Sequence, residues 1–285
     1  MNINSRDLSI LKSAGADPIL LPNSYREVPR ESSPTTDWIF YPVQALRRKN
    51  IGELLLLSLA TPPPYRYALA VTPPEQQETT ARWQQLAKDL ELDISFDVTD
   101  QLAPHPEAPQ HFCSWYEHAC KIVSTSIQEG FGMVFIEPIY FQTPFFGRDL
   151  PEITQDIKEQ GVQHPHLYQS IHIDLPGFPD KDFGFYAEQQ QRKLLTTLAA
   201  DRSLLTQIHL ESNGNSIPLT TFLQTVLIDK QTLPLSTITP WSIKQLKENL
   251  IQLYSNLSQR KISAVSSLQH SSIRQHFLQQ PPKPW

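Results

Sequence analysis

Between residues 38 and 175, short apolar runs of strand length alternate with longer stretches of helical spacing. This rhythm restricts the fold more than any other feature of the chain. WIFYPV (38–43), YALAVT (67–72), ISFDV (94–98), KIVSTS (121–126) and PFFG (144–147) read as strands. IGELLLLSLA (51–60), PPEQQETTARWQQLAKDLEL (73–92), FCSWYEHA and FGMVFIEPIYF read as helices between them. The second of these begins with proline and acids and spaces Trp83, Leu86 and Leu90 on one face. Strand–helix alternation implies parallel strands joined by right-handed crossovers, hence an α/β Rossmann-like sheet. After about 175 the rhythm changes. The segments 182–210, 218–227 and 241–257 read as helices, and no strand is expected between them. The expected organisation is residues 1–37 as a leading segment, 38–175 as the parallel-sheet domain, and 176–285 as a helical region whose polar, proline-ended tail is disordered.

Composition removes several function classes. A formal charge of −5 argues against a nucleic-acid-binding protein. The longest apolar run, LLLLSLA (54–60), is far short of a membrane span. The first ten residues carry no basic-then-apolar signal pattern, so the expected location is cytoplasmic. Two cysteines, Cys113 and Cys120, are too few for a disulfide scaffold and are expected as buried thiols on one helix face.

The chain has 25 prolines and only nine glycines, yet Gly130, Gly132 and Gly147 fall within one short stretch, QEGFGMVFIEPIYFQTPFFGRDLPEIT (128–154). In an open parallel sheet, ligands bind at the carboxyl ends of the strands. Glycines after KIVSTS let backbone N–H groups approach a ligand that a Cβ would hold off. The helix start that follows suits a phosphate. Glu129 stands at the mouth of that site and Glu137 further along, and carboxylates repel phosphate, so both are expected to bind hydroxyls. A ligand with a diphosphate between hydroxylated ends is a nucleotide sugar. Tight packing around Gly-x-Gly is the plainer alternative.

The same segment resembles the signature of retaining glycosyltransferases of the GT-B fold (glycosyl transferases group 1, family 4-like). In that family a Glu, seven residues and a second Glu follow a strand, within EGFG…E. Pro144, the FFG strand and Leu150-Pro151-Glu152 occupy the places of the family's later proline, strand and Pro-Glu loop. The resemblance implies that Glu129 is the catalytic-site acid meeting the donor sugar hydroxyls and that Glu137 meets the ribose. It implies that the backbone of Gly130, Phe131 and Gly132 faces sugar and phosphates, and that the Asp149-Leu150-Pro151 turn approaches the diphosphate. The family's basic pair maps onto Gln44 and Lys49; Lys49 then binds phosphate, with Arg47 or Arg48 compensating for the missing arginine. Pro138 also departs from the family, which usually has a small residue there.

Retention of configuration and independence from metals and cofactors are implied by the resemblance alone. MNINSRDLSILKSAGADPILLPNSYREVP looks like the end of the family's N-terminal domain. The chain therefore reads as the donor-binding half of a transferase, its acceptor domain supplied by a partner chain or by the intact gene. The alternative is a nucleotide-sugar-binding or assembly subunit without turnover.

Other motifs have competing readings. Asp180-Lys181-Asp182 has the acid-x-acid form of metal-dependent transferases, but its proline-flanked setting reads as a turn with a helix cap. His164, His166, His172 and Asp174 are metal-ligand types, and a metallohydrolase built on them is a third hypothesis; surface or core histidines are the commoner reading. Trp241 and Tyr254 are expected as core anchors.

Overall fold

The computed structural model describes residues 5–18, 36–103, 113–130, 132–159, 161–178, 187–234, 248, 250–252 and 254–255. The chain forms two compact units, one of residues 1–24 with 240–285 and one of residues 25–239. In the first, α1 spans Ser5–Ser13. Tyr254 is 69% exposed rather than a core anchor, and Trp241 lies outside the described residues.

The second unit holds the expected sheet. Strands β1 (Trp38–Gln44), β2 (Arg66–Val71), β3 (Ile94–Ser95), β4 (Lys121–Ser124), β5 (Phe145–Arg148) and β6 (Leu167–Tyr168) are all parallel. Their spatial order is β3-β2-β1-β4-β5-β6, so the direction of winding reverses between β1 and β4. That is a Rossmann-like, doubly wound sheet. Its strands are apolar on both faces because helices cover both. Helix α2 (Ile51–Ala60) is buried from Ile51 to Leu59, which explains a helix apolar all round. Helix α3 (Gln77–Asp89) buries Trp83 and Ala87, and Leu86 and Leu90 pack against the same core, the face expected from their spacing.

Several elements differ from the sequence expectation. Cys113 opens α4 (Cys113–His118), whereas Cys120 lies beyond the helix and points its thiol at the Trp38 carbonyl; the cysteines share no helix face. Both are free thiols. The expected helix FGMVFIEPIYF is a 3-10 turn, Met133–Phe135, followed by the four-residue α5 (Glu137–Tyr140). Pro138 takes the first turn of α5, where a missing N–H costs little.

Beyond α6 (Pro151–Lys158), a second, antiparallel sheet joins β7 (Ser170–Ile173), β8 (Ile208–Ser212) and β9 (Asn215–Pro218). The helical expectation after 175 holds for α7 (Glu188–Ala200) and α8 (Leu219–Ile228). It fails for 208–218, where Asn213 and Gly214, both at positive φ, close a two-residue hairpin. Leu194, Leu195 and Leu198 of α7 and Leu223 of α8 join the core that α2 fills.

One charged pair lies inside this core. Glu53 on α2 is fully buried, and its carboxylate receives Arg148 at 2.5 and 3.2 Å, the Tyr168 hydroxyl at 2.6 Å and the Asn50 amide at 2.8 Å. A buried charge is tolerated when paired and fully hydrogen-bonded. Removing one partner typically costs about 3–5 kcal/mol, whereas exchanging both for apolar residues is often close to neutral. Arg148→Met is therefore expected to lower the melting temperature by roughly 6–20 °C, and Glu53→Leu added to it to recover most of the loss. Equal melting temperatures for wild type and Arg148→Met would show that the pair stabilises nothing.

Candidate functional site

The reversal between β1 and β4 opens a crevice at the carboxyl ends of the two central strands. Two loops meet there. The first leaves β1, turns through a 3-10 segment at Arg47–Lys49, and enters α2 through Asn50 in the left-handed region at φ 51°. The second follows β4 from Thr125 to Gly130. Hydroxyl groups join them. Tyr41 of β1 and Thr125 both donate to the Lys49 carbonyl, at 2.9 and 3.0 Å. Thr125 also reaches the Asn50 carbonyl at 3.2 Å, and Ser126 meets the Tyr41 hydroxyl at 2.8 Å. The Ile127 N–H donates to the Arg48 carbonyl at 2.9 Å. The Lys49 main chain is thus fixed before its side chain does anything.

That side chain forms the centre of the site. Lys49 Nζ lies 2.5 Å from Glu129 Oε1, and both side chains are over nine-tenths buried. Burial lowers the Lys49 pKa, because the charged ammonium loses water. The Glu129 charge and hydrogen bond push it back up, and Arg48 adds a smaller lowering effect. The second acid, Glu137, receives the Tyr116 hydroxyl at 2.5 Å. Its pKa is raised, chiefly by burial, with the Tyr116 bond opposing and the Glu129 charge adding to the shift.

The remaining expected site residues are distributed around this centre. Gly130 is exposed, and a Cβ there would meet nothing within 4 Å, so its backbone is open to a ligand. Gly132 has a different role: at φ 67°, an added Cβ would lie 2.2 Å from Ile153 on α6. It is there for packing. Gly147 is likewise internal, since a Cβ would strike the Ser124 carbonyl at 2.2 Å. Phe131 lies outside the described residues. Asp149 is buried and already holds Thr154 at 2.5 Å and Lys158 at 2.7 Å. Leu150 is buried and leads into α6, whose first residue is Pro151. Arg47 and Arg48 are exposed; Arg47 lines a separate cleft, described below.

The histidines are dispersed among separate partners: His164 with the Phe135 carbonyl, His166 with Asp229, and His172 with Ser170 and Glu211. Burial pushes His164 down to about 4, which keeps it neutral beside the 133–135 turn. Asp180, Lys181 and Asp182 lie outside the described residues. Sequence reasoning missed the hydroxyl set of Tyr41, Thr125 and Ser126, because such residues have no distinctive spacing. It also missed Arg148 as a partner for Glu53, although an arginine ending a buried strand and a glutamate in an otherwise apolar helix each need a partner.

No family model matches the chain. A stretch of 76 residues is 33% identical to the mannosylglucosylglycerate synthase of Petrotoga mobilis, covering 27% of this chain and 18% of that protein. Among solved structures, the fold is similar to TarM (12% identity, 89% of this chain and 42% of that chain, TM-score 0.47). It is also similar to Anabaena HepE in complex with UDP-glucose (14%, 89% and 63%, TM-score 0.48). A third is a sucrose-phosphate synthase from Thermosynechococcus elongatus (14%, 91% and 58%, TM-score 0.49). The chain therefore spans less than two thirds of each of these relatives. Among the described residues no helix is long and apolar enough to cross a membrane.

Because Glu129 holds the Lys49 pKa up, Glu129→Gln is expected to lower it further. Titration of the Lys49 side-chain NMR signal would read the change. An unchanged midpoint would mean that the two charges are not paired in solution.

Proposed function

We propose that residues 38–175 bind a nucleotide sugar in the β1–β4 crevice, and that the chain is the donor-binding half of a glycosyltransferase. The observation that supports this most directly is the Lys49–Glu129 pair, a cation and an anion held together at the carboxyl ends of the central strands. A diphosphate entering the crevice competes with Glu129 for the Lys49 ammonium. Glu129, released, accepts hydrogen bonds from sugar hydroxyls, which suits a carboxylate as a phosphate does not. The open backbone at Gly130 gives the sugar room. Glu137, with its Tyr116 partner, is left for the ribose hydroxyls.

In this reading Lys49 also stabilises the departing diphosphate, an electrostatic role that requires no metal. Retention of configuration belongs to the same proposal, by resemblance. So does a second domain, from a longer chain or a partner, that brings the acceptor to the open side of the crevice. Arg48, exposed and close enough to influence Lys49, adds positive charge for the phosphates. The turn at Asp149, Leu150 and Pro151 contributes through the start of α6, since the Asp149 carboxylate is already occupied by Lys158 and Thr154.

Calorimetric titration of the full chain with UDP, GDP and ADP tests the reading. At least one should bind, and Lys49→Ala should weaken it by roughly 10- to 100-fold, about 1.4–2.7 kcal/mol. Glu129→Ala should bind the diphosphate at least as well, having lost the competing carboxylate, while losing affinity for the nucleotide sugar. Failure of all three nucleotides to bind would refute the assignment.

A further inference from the structure

A cavity of this unit lies apart from the pair Lys49 and Glu129. An open cleft of about 620 Å³ lies between the loop after β1, the start of α3 and the start of α7. Its size falls within the range of small-molecule sites, roughly 300–1,000 Å³. Neither Lys49 nor Glu129 lines it. It adjoins their loops through Arg47 and Ile127, each two residues away from a member of the pair.

The lining has a definite chemistry. Trp83 and Ile51, both largely buried in the core, supply its apolar lining. Gln76 and Thr79, at the start of α3, face the cleft with side chains that make no hydrogen bond among the described residues. Arg47 is exposed and makes no ion pair among the described residues. Glu188, the acidic side chain on the lining, is held at 2.9 Å by Arg192, whose guanidinium lies 4.8 Å over the Trp83 ring. The acid is thus compensated, and Arg47 remains as the unbalanced charge. An uncompensated guanidinium beside hydrogen-bonding side chains and an indole fits a hydroxyl-rich molecule carrying a phosphate or carboxylate.

We propose that this cleft is a second ligand site, for an anionic, polyhydroxylated small molecule such as a sugar phosphate. The site has a physical link to the crevice. Gln191, buried on its wall, donates to Asn50 Oδ1 at 2.9 Å, and Asn50 is the left-handed residue that directly follows Lys49. A ligand pressing on Gln191 acts on the turn that carries Lys49. The binding claim itself does not need the nucleotide reading.

The test titrates glucose 6-phosphate into the full chain, following the Trp83 indole N–H by NMR, with glucose and inorganic phosphate run separately. Saturable binding of glucose 6-phosphate is expected, at least fivefold tighter than either component. Thr79→Trp, which fills the cleft from α3, should weaken it at least tenfold, and the milder Gln76→Ala about threefold. Both variants should bind nucleoside diphosphate within twofold of wild type, which also reports that they are folded. Absence of glucose 6-phosphate binding, or equal binding by wild type and both variants, overturns the proposal. Loss of sugar phosphate and nucleotide together in Gln76→Ala would make the cleft part of the nucleotide site and overturn a separate one. Sugar-phosphate binding with no nucleotide binding would sink the donor assignment and leave the second site standing.

Discussion

The geometry of the crevice depends on a carboxylate that no ligand can reach. Glu53 is buried inside the sheet–helix core and satisfied by Arg148 from β5, Tyr168 from β6 and Asn50 from the start of α2. These bonds bind three segments that are distant in sequence into one rigid corner. Their cost is the desolvation of two charges, which full hydrogen bonding offsets. Their consequence is positional: Asn50 is held in a left-handed conformation, and Lys49, one residue earlier, is aimed from a fixed backbone. Tyr41 and Thr125 complete the arrangement by holding the Lys49 carbonyl.

On that frame, the crevice keeps a cation and an anion ready for exchange. Lys49 is buried enough to resist charging, and Glu129 keeps the ammonium favourable. An arriving phosphate can replace Glu129 at little electrostatic cost, because one anion substitutes for another. Glu137 is separated from the pair in function by its Tyr116 partner and by burial that raises its pKa. The two acids of the motif therefore occupy different environments. That division is what a ligand with different hydroxylated ends would require.

The parallel sheet was legible because its strands are continuous apolar runs between amphipathic or apolar helices, and α2 advertised its burial by having no polar face. The hairpin at 208–218 was legible too, but was missed. Asn213-Gly214 is a strong two-residue turn signal, and Ile208, Leu210 and Ser212 alternate with His209 and Glu211 around it. Helical spacing upstream masked that alternation. At the site, the glycine-rich stretch is legible as the segment that follows β4, but reading one role into its three glycines does not match their surroundings. Only Gly130 faces open space. Gly132 makes way for Ile153 and Gly147 for the Ser124 carbonyl, contacts that depend on elements folding back from elsewhere. The pairing of Lys49 with Glu129 was beyond sequence reasoning, because 80 residues and three strands separate them.

Nucleotide-sugar binding in the crevice requires the Lys49–Glu129 pair to open and admit a diphosphate. A crystal structure of the chain with a nucleotide sugar tests this most directly. Lys49 Nζ is expected within hydrogen-bonding distance of a phosphate oxygen, about 2.7–2.9 Å, with Glu129 turned to a sugar hydroxyl. A nucleotide sugar bound elsewhere, with Lys49 and Glu129 still paired, would contradict it.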